Sequence, residues 1–88
     1  MRNTLSILLV RAENTDVRVD IVSALLAGQT IIVNYEDIAG ADRKSIEDFI
    51  SGAVFASDLH ETQISDDIII YGADVEGYTY ADENEDYE

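Results

Sequence analysis

Two short runs of branched apolar residues, Ser6 to Val10 and Thr30 to Val33, flank a single stretch of helical periodicity. This arrangement restricts the chain more than any other feature. Each run is continuous rather than alternating, which is the pattern of a strand buried on both faces. Between them, Val17, Ile21, Ala24 and Leu25 fall on one face of a helix,. Asn14 or Thr15 is placed to cap that helix, Asp16 suits the positive end of its dipole, and Gly28 supplies a left-handed stop,. Two strands joined through one helix form a βαβ unit, whose strands are parallel and whose crossover is right-handed.

A second helix is predicted to begin between Gly40 and Asp42. Ile46, Phe49, Ile50, Ala53 and Val54 repeat at its spacing,. Gly52 lies inside this helix but off that face, and a mid-helix glycine costs about 1 kcal/mol relative to alanine. Close approach of another backbone is the expected compensation. Phe55 and Ala56 continue along the same side and suggest a second contact surface. Leu59 to Ile64 reads as a partly exposed strand near a sheet edge, Ser65-Asp66-Asp67 as a turn, and Ile68 to Tyr71 as the apolar strand that closes a hairpin,. A short final strand is expected between Gly72 and Tyr80. The order is β-α-β-α-β-β(-β), a small two-layer α/β sandwich with two helices packed on one sheet. The domain is expected over residues 1–80. Residues 81–88, nearly all acidic or polar, bury too little apolar surface to offset their ordering entropy and read as a disordered tail,.

Charge separates the possible functions. Nineteen acids against 5 bases give a net charge of −14 on 88 residues. All five bases, Arg2, Arg11, Arg18, Arg43 and Lys44, precede residue 45, and residues 61–88 carry none. Binding to nucleic acid or to anionic lipid through charge is therefore not expected. No amphipathic helix precedes the first strand, so direct membrane binding by these residues is not expected either. Cysteine is absent, which removes disulfides, thiolate metal sites and cysteine nucleophiles and fits a reducing compartment such as the cytoplasm,. The five glycines are scattered singly and make no phosphate-binding loop,. His60 reads as an exposed strand residue, with its neighbour Glu61 pointing to the other face. Asp82, Asn84 and Asp86 imitate the start of a calcium loop, but Tyr87 stands where the glycine is needed,. These features describe a protein without catalytic, metal or cofactor sites.

Two segments carry a positive signal. One is Ile31-Ile-Val-Asn-Tyr-Glu-Asp37, preceded by a helix that closes on Leu26-Ala-Gly28. The other is Ile46-Glu-Asp-Phe-Ile-Ser-Gly-Ala-Val-Phe-Ala56. Together they resemble the core domain of the SepF family, division proteins that bind the tubulin-like GTPase FtsZ. The resemblance runs in order from Leu5 to Val75 and is most specific over Asp48 to Phe55. It implies a dimeric, non-enzymatic adaptor, without cofactors, that acts at the division site by binding the C-terminal tail of FtsZ. Some family members also polymerise. By resemblance, Gly52 permits close packing between subunits in a surface formed with Ser45, Phe55 and Ala56. The tail-binding surface would take in Gln63 and Ile69 of the hairpin, the rim carboxylate Asp66, and Val33 and Tyr35 nearby. Gln63 stands where relatives often carry a base, and Ile69 where they often carry an aromatic residue. A reading of another class follows from charge alone: an acidic mimic of nucleic acid that blocks a basic partner. A diverged relative serving a different partner is the third alternative.

Overall fold

The computed structural model describes residues 7–73. The expected strand beyond Gly72, the boundary at residue 80 and the acidic segment 81–88 lie outside the described residues.

The elements are β1 (Ile7–Arg11), α1 (Val17–Leu26), β2 (Thr30–Asn34), α2 (Gly40–Ala56), β3 (His60–Gln63) and β4 (Ile68–Gly72). They form one four-stranded mixed sheet in the order β1-β2-β4-β3. β1 and β2 are parallel, with Leu9 opposite Ile32. β4 runs antiparallel to both of its neighbours, so Ile69 lies between Val33 on one side and Gln63 on the other.

The two helices lie on one face of this sheet. Leu8, Val10, Ile31, Val33, Ile69 and Tyr71 share that face by register and strand alternation,. They meet Ile21 and Leu25 of α1 and Ile46, Ile50 and Val54 of α2 in a single core. Both helical periodicities are thus realised, except that Phe49 of α2 stays outside the core. Ile21, Ile46 and Ile50 have no exposed surface, and burying each such side chain stabilises the fold by about 1.5–3 kcal/mol.

One expectation fails on the opposite face. The continuous apolar runs predict strands covered on both sides, yet Leu9 is 73% exposed and Ile7 40%. The reason is topological. With both helices on one side, no described helix covers the far face, where Ile7 and Leu9 are exposed and Ile32 and Ile68 partly so, although Ile70 on that face is fully buried.

The helix ends show how local sequence sets the connections. The cap falls later than expected: Asp16, not Asn14 or Thr15, is the N-cap of α1 and makes no side-chain cap bond, while the Asn14 side-chain oxygen accepts from the Asp16 amide at 2.8 Å in the turn that leads into the helix. At the other end, Gln29 N–H donates to Ala24 C=O at 3.1 Å and Gly28 N–H to Leu25 C=O at 3.0 Å. This is a Schellman closure, and Gly28 adopts the positive φ of 96° that it requires. α2 closes in the same way, through Leu59 N–H to Val54 C=O at 2.9 Å and Asp58 N–H to Phe55 C=O at 3.4 Å. Here the left-handed position, φ 60°, is held by Asp58, where a Cβ is strained. Asp58→Gly is therefore expected to stabilise the domain by about 0.5–1 kcal/mol. Urea unfolding of the two proteins measures it; a lower midpoint for the glycine variant would contradict this account of the cap.

Candidate functional site

α2 presents two different surfaces. One side faces the β3–β4 hairpin, and the outer side faces away from the sheet.

On the hairpin side, Arg43 is the organising residue. Its Nε donates to Glu47 at 2.8 Å, one NH group to the Asp67 carboxylate at 3.0 Å, and the other to the Asp66 carbonyl at 2.6 Å. The guanidinium also lies 5.0 Å from the centre of the Tyr35 ring, within reach of a cation–π attraction. The bond to Glu47 is the main reason that Arg43 titrates above its ordinary range; burial opposes it, and the bond to Asp67 adds to the rise. Tyr35 follows β2, and its backbone N–H donates to Asp67 C=O at 2.6 Å. Beneath it, the hydroxyls of Tyr35 and Tyr71 are hydrogen-bonded at 2.6 Å in the core. Burial pushes the Tyr35 phenol up to about 12 and raises Tyr71 further still, with the bond to Tyr35 adding to the rise.

The residues expected to read a partner peptide gather at this end of the molecule, in two layers. Gln63 and Asp66 are on the surface. The Gln63 amide donates to Ser65 C=O at 3.0 Å, so its orientation follows the turn. Val33, Tyr35 and Ile69 lie below, exposed by 0%, 0% and 7%. The expectation that Ile69 touches a peptide directly needs correction. Strand alternation turns its side chain toward the helices, and it forms the floor of the site with Val33 and Tyr35. Glu61, on the same face of β3, accepts from Ser51 Oγ of α2 at 2.9 Å and closes the cleft between strand and helix.

On the outer side of α2, the structure brings Ser45, Gly52, Phe55 and Ala56 onto one surface. Phe55 is 89% exposed, and Phe49, which the periodicity assigned to the core, is 46% exposed beside them. Arg18 of α1 joins this surface. It donates to Ser45 Oγ at 3.0 Å and lies 5.5 Å from the Phe49 ring centre. A side chain built at Gly52 would meet nothing within 4 Å. The expected close approach of a backbone therefore does not occur within this chain, and Gly52 does not pack against its own sheet.

Sequence reasoning missed Arg43, whose partners are 24 residues away in the turn and become neighbours only when the hairpin folds back. It also missed the far face of the sheet, where Leu9, Val10, Arg11, Ile32, Asn34 and Ile68 line a shallow groove of about 320 Å³. The signal was present in Ile7 to Val10: a run apolar on both faces needs cover on both. Arg11 borders this groove and pairs with Asp37 at 2.6 Å and Glu36 at 3.2 Å. His60 is half-buried rather than exposed. Among the described residues no three His, Asp or Glu side chains are grouped to hold a metal ion, and no helix is long and apolar enough to cross a membrane.

The fold defines a small α/β domain with two helices packed on one face of a four-stranded mixed sheet. The model of the family described as cell division protein SepF matches residues 7–72, and the chain belongs to that family. No curated protein matches the chain. The matched segment runs from the start of β1 to the end of β4, so every strand and helix described above falls within it.

Proposed function

We propose that this protein is a non-enzymatic division adaptor that associates through the outer face of α2 and binds the C-terminal tail of FtsZ beside the β3–β4 hairpin. Membership in a cell division family supports the process. The observation that carries the site is the gathering of Gln63 and Asp66 over a floor of Val33, Tyr35 and Ile69. A short peptide laid across the turn would meet exposed polar groups rather than Ile69. Asp66 and Asp67 at its rim would attract basic residues of the tail. Ordering a disordered tail consumes a large share of the gross interaction energy, so the expected affinity is modest, on the order of 1–100 μM. A dimer engaging two tails on one filament would bind more tightly overall, because the second contact is effectively intramolecular.

Calorimetric titration with the tail peptide of the same organism's FtsZ tests this directly. Heat saturating in the micromolar range is expected. Silence at millimolar peptide, with the domain folded, would remove the FtsZ assignment and leave a family member that serves another partner. Salt separates the acidic-mimic reading: a mimic would lose its basic partner steeply as salt rises.

A further inference from the structure

Among the described residues, Arg43 makes two of the hydrogen bonds that hold the β3–β4 turn against the body of the protein. The turn's own hydrogen bonds are local. Ile64 and Ser65 N–H donate to Ile68 C=O at 2.8 and 3.2 Å, and Asp67 N–H to Ser65 Oγ at 3.4 Å. These close the hairpin without fixing it against α2. Among the described residues, three bonds do that: Tyr35 N–H to Asp67 C=O, and the two Arg43 contacts to the Asp66 carbonyl and the Asp67 carboxylate. Two of the three come from one guanidinium, which is itself fixed by Glu47 one helical turn along and by the face of Tyr35.

The contacts then continue to the surface. Arg43 holds Asp66 and Asp67; the turn they form carries the Ser65 carbonyl; that carbonyl accepts from the Gln63 amide. We infer that Arg43 is a positioning residue for partner recognition: it fixes the Ser65–Asp67 turn against α2 and so presents Gln63 and Asp66 in the arrangement a tail peptide meets. This rests on the binding site proposed above, but the geometry that assigns the role belongs to this chain alone.

The planar fork is what the role requires. A guanidinium can address a carbonyl, a carboxylate on the turn and a carboxylate on its own helix at once, and can stack on an aromatic face. An ammonium keeps the charge but is a single point without that geometry. Arg43→Lys thus separates a positioning role from a general electrostatic one, and Arg43→Met removes both.

The test combines hydrogen exchange with peptide titration on the wild type and both variants. Circular dichroism shows that each is folded, and light scattering reports association through the other side of α2. The Tyr35 amide, which donates into the turn, is expected to exchange faster in both variants. Affinity for the tail peptide is expected to fall about tenfold in both, with assembly mass unchanged. Affinity within about twofold of wild type in both variants would overturn the inference while leaving the binding site in place. Retention by Lys with loss in Met would also overturn it, because charge alone would then be sufficient. A wild type that does not bind the peptide would instead defeat the proposed function on which it rests.

Discussion

Tyr71→Phe is expected to destabilise the domain by about 1–3 kcal/mol, although it removes a single oxygen atom. Tyr35 and Tyr71 are fully buried or nearly so, at 0% and 1% exposure, and their hydroxyls share one bond of 2.6 Å. Removing either hydroxyl leaves the other in the core without its partner, and the cost is the desolvation of that orphan rather than the value of the bond. Tyr35→Phe should cost a similar amount. The double variant is expected to cost less than the two single variants together, because no orphan remains, and the difference measures the coupling. Strict additivity in urea unfolding would show that the hydroxyls do not depend on each other. The pair also sets a pH limit. Both phenols are raised by burial, Tyr35 to about 12 and Tyr71 beyond it, whereas in the unfolded chain a tyrosine titrates near its ordinary value of about 10. The folded state therefore retains the protons more strongly. The stabilisation is complete below about pH 10 and falls as pH rises, since the unfolded chain ionises first. The double variant should lack this alkaline decline; an equal loss above pH 10 in both proteins would assign it to other groups.

Most of the layout was legible in the residues because it rests on short-range physics. Helix periodicity places Ile21, Leu25, Ile46, Ile50 and Val54 in the core. Gly28 stops α1 where a left-handed residue is required, and Ser65 to Asp67 forms the turn. What was not legible depends on which faces meet. Ile69 reads equally well as a surface anchor or as core, because Ile68, Ile69 and Ile70 give no alternation; only the register with Val33 and Gln63 assigns its face. Phe49 satisfies the helical template, yet it sits at the border between buried and open sides and stacks with Arg18 instead. Arg43 could not be ranked above Arg11 or Arg18 by type, since its importance comes from the turn that folds against it. The hairpin was visible in the residues, but the side chain that fixes its turn was not.

The outer face of α2 leads to the expectation with the clearest outcome: if the protein associates through this face, as proposed, Gly52→Lys makes it a monomer without harming its fold. Within one chain the substitution is harmless or better. A Cβ at Gly52 meets nothing within 4 Å, the position is exposed, and replacing a mid-helix glycine recovers up to about 1 kcal/mol of helix propensity. Between chains the reverse holds. If a second copy lies close over Gly52 and against Phe55, a lysine there must be buried without a counter-charge or must push the helices apart, and either is costly. Folding and association should therefore move in opposite directions: thermal stability of the isolated domain equal or raised, assembly mass reduced to that of one chain. Light scattering and thermal unfolding at low concentration read the two separately. Gly52→Ala provides a graded control. It gains the same propensity with a much smaller side chain, so its association should fall between those of wild type and the lysine variant. A lysine variant with the mass of the wild-type assembly would exclude this face. Leu9 on the far side of the sheet, more exposed than Val19 or Leu26 of α1, would then be the next apolar position to test among the described residues, and Leu9→Glu would become the substitution expected to dissociate the protein.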